Sequence, residues 1–182
     1  MTATPAEKGS FTVRDLAGFP DDGNRYELID GGLYVSTAPS EDHQTVVLEL
    51  ARRLRAARPT GFRVFVAPFA VRPDQGTEVQ PDVLVAMDED ITKKGLPKGP
   101  LLAVEVLSPS SAFKDRNLKR ALYERLGTAS YWLIDPIDPT LTVFELDEND
   151  KYQLVAEVKG NKMFEATLPF PVRIVPAELL EG

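Results

Sequence analysis

The apolar segment at residues 101–107 constrains the fold more than any other part of the chain, because six of its seven residues are apolar. In an extended strand, successive side chains point to opposite faces. One face would carry Leu102, Val104 and Val106, and the other Leu101, Ala103, Leu107 and Glu105. A strand that is apolar on both faces is usually central in its sheet and covered on both sides. The segment therefore predicts a layered fold around a buried sheet.

Helical and strand patterns on either side of this segment define the rest of the architecture. Ser40 is a good N-cap for a helix ending at Pro59, and a second helix over residues 114–126 stops at Gly127. Further strands are predicted at residues 62–71, 79–87 and 131–134, with hairpins at 25–36 around Gly31-Gly32 and at 141–158. This order predicts an α/β (α+β) fold, with a mixed central β-sheet, flanking helices and hairpins near both ends.

Length and composition exclude several classes of protein. With 182 residues, we expect a disordered N-terminus over residues 1–10 and a single domain over 11–182. The absence of cysteine excludes disulfides, thiol nucleophiles and cysteine-ligated metals, and a single histidine excludes a multi-histidine site in one chain. No apolar run reaches the ~18 residues of a membrane span, and no phosphate-binding loop or dinucleotide motif is present. We expect a cytoplasmic protein with no membrane association and no organic cofactor.

Two carboxylates occupy segments that look buried. Glu105 lies within residues 101–107, and Asp82 lies in the segment Val79-Gln-Pro-Asp-Val-Leu-Val85. A buried carboxylate is costly unless a cation or hydrogen-bond donors meet it. If the two strands are neighbours, both acids converge on a site suited to Mg²⁺ or Mn²⁺. Each acid alone has a structural alternative, since Asp82 could simply begin a strand and Glu105 could pair with an arginine.

Four other polar side chains could belong to such a site. Asp115, Lys119 and Tyr123 are spaced four residues apart and share one face of the second helix, where Lys119 could reach over the sheet. His43 lies in the first turn of the first helix, where the helix dipole favours its neutral form. The alternatives remain open at this stage: an ordinary surface pair of Asp115 with Lys119, and an exposed histidine. A fifth residue, Glu27, could add a further carboxylate, although periodicity alone leaves it as an ordinary acid of the first hairpin.

The charge distribution permits a local surface for anions. The net charge is −7, yet residues 51–127 carry fourteen lysines and arginines against nine aspartates and glutamates. A basic region within an acidic chain fits a local contact with nucleic acid and argues against an indiscriminate coat of it. Two solvated helix faces would explain the same distribution.

Seven short motifs follow one another along the chain. They are Tyr26-Glu-Leu-Ile-Asp-Gly31, Ser40-x-x-His43-Gln44, Val66-Ala-Pro-Phe69, Gln80-Pro-Asp-Val-Leu-Val85, Val104-Glu-Val-Leu-Ser-Pro-Ser110, Asp115-x-x-x-Lys119-x-x-x-Tyr123 and Tyr131-Trp-Leu-Ile-Asp-Pro136. This ordered set resembles the Uma-two family, a prokaryotic family of the PD-(D/E)XK restriction-endonuclease-like superfamily. The resemblance covers about residues 20–160.

The resemblance implies a core of helix, three strands, helix and strand (αβββαβ) that carries a metal-dependent phosphodiesterase site. Asp82 and Glu105 would bind Mg²⁺ or Mn²⁺, with the backbone carbonyl of Val106 as a further ligand. The superfamily lysine should stand two residues after Glu105, but this chain has Leu107 there. The resemblance implies that Lys119 takes its place. The auxiliary positions would be His43, Glu27, Gln80, Asp115 and Tyr123.

These residues imply a Mg²⁺-dependent endonuclease that acts on DNA. The alternatives are a DNA-binding or mobile-element accessory protein with a vestigial site, and an assembly module in which the C-terminal region pairs with another copy. Restriction-like nucleases often act as dimers because duplex DNA has two strands related by a near-two-fold axis. We therefore expect a homodimer.

Overall fold

The computed structural model describes residues 10–108 and 114–181, with the side chains of Lys114 and Asp115 excepted. The predicted disordered N-terminus lies outside the described residues apart from Ser10, which is exposed. None of the described helices is long and apolar enough to cross a membrane.

A six-stranded mixed sheet forms the centre of the molecule. In spatial order its strands are β3 (Phe62–Val66), β4 (Val83–Met87), β5 (Leu102–Val106), β6 (Ser130–Asp135), β7 (Thr140–Leu146) and β8 (Tyr152–Lys159). All neighbours are antiparallel except β5 and β6, which are parallel. A parallel pair needs a crossover connection, and the second helical region supplies it. The predicted mixed sheet with flanking helices is confirmed.

Two helical regions flank the sheet in the chain order that the sequence predicts. The first helix is α2 (Glu41–Ala57), preceded by a single short turn, α1 (Val13–Leu16). The side-chain oxygen of Ser40 accepts a hydrogen bond from the backbone N–H of His43 at 3.3 Å, so Ser40 caps the N-terminus of α2. The second region begins as a π-helical segment (Lys114–Lys119) and continues as α3 (Arg120–Arg125). The core order αβββαβ is thus present.

The central strands bury apolar side chains on both faces, as their alternation predicts. On one face, Val104 of β5 and Val83 of β4 pack with Leu50 and Leu54 of α2. On the other face, Ala103 of β5 and Leu84 of β4 belong to a second cluster. That cluster also contains Leu122 and Tyr123 of α3. Glu105 therefore points into the layer beneath α3.

The first hairpin is present, but its turn is one residue earlier than predicted. β1 (Arg25–Ile29) pairs with β2 (Gly32–Ser36), and Ile29 is opposite Gly32. The two turn residues are Asp30 and Gly31, with φ of 52° and 79°. A two-residue turn with positive φ at both positions matches the twist of the strands it joins. Gly32 therefore belongs to the strand, and Gly31-Gly32 is not the turn.

Two predicted strands are shorter than their apolar patterns. The strand predicted at residues 62–71 ends at Val66, and Pro68, which has no N–H to donate, follows at once. The strand predicted at 79–87 begins only at Val83, after Pro81 and Asp82. Val79 instead forms an isolated bridge with Val71. Gln80 and Asp82, in the segment before β4, take part in the site described below.

The C-terminal segment completes the core in a way that the sequence did not predict. It forms a small two-stranded sheet of β9 (Phe164–Ala166) and β10 (Val172–Ile174), followed by a turn of 3₁₀-helix at Ala177–Leu180. Phe170, Ile174 and Leu179 are buried in the same cluster as α2. This segment therefore covers part of the first face of the sheet.

Candidate active site

Asp82, the residue just before β4, lies beside Glu105 of β5. In the β4–β5 ladder Val83 is opposite Val104, so extending the register by one step places Asp82 opposite Glu105. Directly opposite residues have Cβ atoms about 4.5–5.5 Å apart and share one face of the sheet. Asp82 is 3% exposed and Glu105 is 2% exposed. Two acids held this close in the interior repel each other unless cations balance them.

Lys119 balances Glu105 from the second helical region. Its Nζ lies 2.9 Å from Glu105 Oε1, and the lysine is 1% exposed. The hydroxyl of Tyr123 donates a longer hydrogen bond, 3.3 Å, to the same oxygen. The spacing of four residues along the helix brings the two side chains to one carboxylate. Burial and the charge of Glu105 raise the pKa of Tyr123, so this phenol stays a neutral donor.

Glu27 is a second partner of Lys119. Its Oε1 lies 2.9 Å from Lys119 Nζ and accepts a hydrogen bond of 2.9 Å from the backbone N–H of Gln80. The first hairpin is held in place by hydrogen bonds between the backbones of Leu28 and Glu78. This bridge aligns β1 with the segment that leads to Asp82. Glu27 is therefore part of the buried cluster and not an ordinary hairpin acid.

Asp82 is surrounded by donors from three elements. Its Oδ1 accepts a hydrogen bond of 2.9 Å from Arg25 Nη1. Its Oδ2 lies 3.1 Å from His43 Nε2 and accepts the backbone N–H of Val106 at 2.9 Å. Burial alone would raise the pKa of Asp82, but the contact with His43 and the charges of Arg25 and Lys119 hold it well below the ordinary value. Asp82 is therefore ionised at neutral pH.

Val106 contributes its backbone. Its N–H points to Asp82, whereas the next N–H, that of Leu107, bonds to Ile134 in β6. The N–H and C=O of one strand residue point to the same edge, so the carbonyl of Val106 also faces the β4 side. This orientation places a carbonyl oxygen on the side of the two acids.

The remaining predicted residues take different places. Gln80 contributes its backbone: its N–H binds Glu27, and its carbonyl accepts a hydrogen bond from Arg25 at 3.2 Å. His43 reaches Asp82 and is not an exposed first-turn residue. The side chain of Asp115 lies outside the described residues. The surface alternative for Lys119 is wrong, since this lysine is buried.

Sequence reasoning missed Arg25. It occupies the first position of β1, two residues before Glu27 and therefore on the same face of the strand. This spacing of two residues could have indicated Arg25, because it places a cation beside any site that includes the carboxylate of Glu27. The structure shows it bound to Asp82.

The cluster contains three buried carboxylates, those of Glu27, Asp82 and Glu105, with Arg25 and Lys119 as their basic partners and His43 as a neighbour. Within the described ranges, no three acidic or histidine side chains are grouped closely enough to enclose a metal ion. Mg²⁺ is normally held by only one or two carboxylates together with water and substrate phosphate. The two neighbouring carboxylates of Asp82 and Glu105, of which Asp82 is ionised, fit that mode of binding.

Comparison with known proteins identifies the family. The family model named Uma2, described as "Putative restriction endonuclease", matches residues 13–178. The chain belongs to the Uma2 family. A solved structure described as "a putative nuclease belonging to DUF820 from Anabaena variabilis" has the same fold as this Uma2 protein, with a TM-score of 0.74. It is 18% identical and covers 94% of this chain and 98% of its own. No curated protein matches the sequence. The Uma-two resemblance is confirmed.

Proposed function

We propose that this Uma2 protein is a metal-dependent endonuclease that hydrolyses phosphodiester bonds of DNA in the cytoplasm. The observation that carries the proposal is the pair of facing carboxylates, Asp82 and Glu105, with the ammonium of Lys119 against Glu105. The description of the Uma2 family, "Putative restriction endonuclease", supports it. The protein from Anabaena variabilis that shares the fold is likewise described as "a putative nuclease".

Asp82, Glu105 and the backbone carbonyl of Val106 would hold Mg²⁺ or Mn²⁺. The donor chemistry supports this assignment, because hard cations select carboxylate and carbonyl oxygens. When bound, the ion would polarise the scissile phosphate and lower the pKa of an attacking water. No organic cofactor is needed for this hydrolysis.

Lys119 would take the role of the superfamily lysine from a different element. The strand position, Leu107, is apolar and 5% exposed, so it cannot orient water. Lys119 Nζ is fixed between Glu27 and Glu105 at 2.9 Å from each, and it could donate a hydrogen bond to a water beside Glu105. His43 and Tyr123 would act as positioning residues, through Asp82 and Glu105 respectively.

Metal binding tests the proposal without requiring the natural DNA target. Asp82→Asn removes the charge of one ligand and keeps its shape, so we expect the affinity for Mn²⁺, measured by isothermal titration calorimetry, to fall at least about tenfold. Asp88→Asn is the matched control. Asp88 also pairs with an arginine, Arg63, but it is half exposed and lies away from the site.

Two results of the calorimetry would contradict the metal site. The first is a wild type that binds neither Mn²⁺ nor Mg²⁺. The second is an Asp82→Asn variant that binds both ions as tightly as the Asp88→Asn control does. Salt-sensitive binding of DNA without metal binding would favour the alternative hypothesis, a DNA-binding accessory protein with a vestigial site.

We also propose a homodimer, because two copies would place one site near each strand of a duplex. We expect a mass of two chains by light scattering at micromolar concentration, which is about twice the 20.1 kDa of one chain. A mass of one chain under these conditions would contradict the dimer and leave the nuclease proposal untouched.

A further inference from the structure

Arg25 contacts the buried cluster through only one of the three nitrogens of its guanidinium group. Among the described residues, one nitrogen of its side chain, Nη1, makes both side-chain hydrogen bonds, to Asp82 Oδ1 at 2.9 Å and to the carbonyl of Gln80 at 3.2 Å. A guanidinium group carries five N–H donors in a planar fork. Within residues 10–108 and 114–181, no protein atom accepts a hydrogen bond from Nη2 or Nε of Arg25.

The exposure of Arg25 sets it apart from the other charged groups of the cluster. Its side chain is 26% exposed, whereas Asp82 is 4% exposed by the same measure and Lys119 is 1% exposed. Arg25 therefore reaches from the buried acids to the surface of the site. Nη2 and Nε therefore belong to a side chain that is in contact both with Asp82 and with solvent.

The fork of an arginine matches the oxygen atoms of a phosphate. Two parallel N–H groups can bind two oxygens of one phosphate, and such charged bidentate contacts are among the strongest hydrogen bonds in proteins. The contact of Nη1 with Asp82 fixes the guanidinium plane, so little side-chain freedom is lost when a phosphate binds.

We propose that Arg25 is a substrate-binding residue that holds a backbone phosphate of the nucleic acid through Nη2 and Nε. This inference rests on the proposed nuclease function and adds a residue to it. Nη1 stays on Asp82 and thereby links the position of the phosphate to the position of the acid. The competing explanation is that Arg25 only neutralises Asp82.

The dependence of DNA binding on salt separates these two explanations. Each phosphate contact made by a cation adds about 0.9 to the slope of log affinity against log salt concentration for duplex DNA. Arg25→Gln removes the charge but can still donate to Asp82. We expect its affinity for DNA to fall about tenfold or more. The magnitude of the slope should decrease by about 0.9, which is the contribution of one phosphate contact. A purely neutralising Arg25 predicts an unchanged slope.

The experiment uses the full chain and a fluorescently labelled DNA duplex. Binding is measured by anisotropy with Ca²⁺ in place of Mg²⁺ over a range of salt concentrations, and cleavage is then measured with Mg²⁺. We expect Arg25→Gln to raise KM much more than it lowers kcat. Arg25→Lys keeps the charge and should restore the slope while recovering part of the affinity. Arg63→Gln, from an exposed arginine–aspartate pair, is the matched control.

The outcomes distinguish the two proposals. Cleavage by the wild type, with slope and KM unchanged in Arg25→Gln, would overturn the role of Arg25 and leave the nuclease function standing. If Arg25→Gln fails to fold, a wild-type KM and a wild-type affinity for DNA in Arg25→Lys would overturn it as well, because lysine keeps the charge but cannot make the bidentate contact. A wild type that neither binds nor cleaves DNA would overturn the nuclease function and this inference together.

Discussion

Replacing Lys119 with methionine is expected to lower the free energy of unfolding by about 3–5 kcal/mol, because it leaves buried carboxylates without their cation. Glu27 and Glu105 each lie 2.9 Å from Lys119 Nζ, and all three residues are at most 2% exposed. Methionine has a similar length and no charge, so the loss of packing is small. The effect would be measured by urea denaturation.

A triple variant tests whether charge imbalance is the cause. Lys119→Met combined with Glu27→Gln and Glu105→Gln removes the cation and both anions, and replacing a whole buried ion cluster is often neutral or stabilising. We therefore expect the triple variant to recover most of the lost stability. Lys98→Met is the matched control, since Lys98 is 58% exposed in its pair with Asp90 and should change stability by less than about 0.5 kcal/mol. Wild-type stability in Lys119→Met would contradict the argument.

Replacing Glu105 with glutamine is expected to slow DNA cleavage by at least about a thousandfold. A metal ion held by Glu105 would contribute several kcal/mol to stabilising the transition state, and each ~1.36 kcal/mol corresponds to about tenfold in rate. Glutamine keeps the shape of the side chain and one acceptor oxygen, so the fold should persist. The measurement is the single-turnover rate of duplex cleavage with Mg²⁺, together with a thermal melt.

Glu78→Gln is the control for loss of a buried glutamate. Glu78 is 4% exposed, and its carboxylate pairs with Arg72, which is not one of the basic residues beside Asp82 and Glu105. We expect its cleavage rate to stay within about threefold of the wild type, because the substitution leaves the contacts of Asp82 and Glu105 with Arg25, His43 and Lys119 in place. Equal losses in Glu78→Gln and Glu105→Gln would mean that the rate reports stability and not chemistry.

The central sheet could be predicted because its strands follow an unambiguous periodicity. In residues 101–107, alternation alone assigned Val104 to one face and Glu105 to the other, and the two core clusters confirm that assignment. Ser40 and Gly127 likewise marked the ends of helical regions through local chemistry that does not depend on distant residues. Such local rules are sufficient wherever the neighbouring chain agrees with them.

Other parts of the fold depend on interactions that no local pattern carries. The three-residue strands β9 and β10 are too short to show a period. The early end of β3 depends on Pro68, and the late start of β4 on Pro81 and Asp82, although the apolar pattern extends across both segments. The turn at Asp30-Gly31 differs from the predicted one because the pairing of Ile29 with Gly32 sets the register.

Part of the candidate site could be predicted from local sequence patterns. Asp82 and Glu105 were found because acids are rare in apolar strands. The role of Glu27 as a partner of Lys119 could not be read from periodicity, because the two residues are far apart in sequence and meet only when the hairpin docks on the sheet. Arg25 was missed although its spacing from Glu27 was visible.

The most direct test of the account is the incubation of supercoiled plasmid with the purified wild type in Mg²⁺, in Mn²⁺ or in EDTA, beside Glu105→Gln prepared in parallel. If Asp82 and Glu105 form a metal-dependent nuclease site, the wild type gives nicked or linear plasmid in the presence of a divalent metal, and the plasmid stays intact in EDTA and with the variant. Plasmid left intact by the wild type with both metals, or nicked equally by the variant, would contradict it.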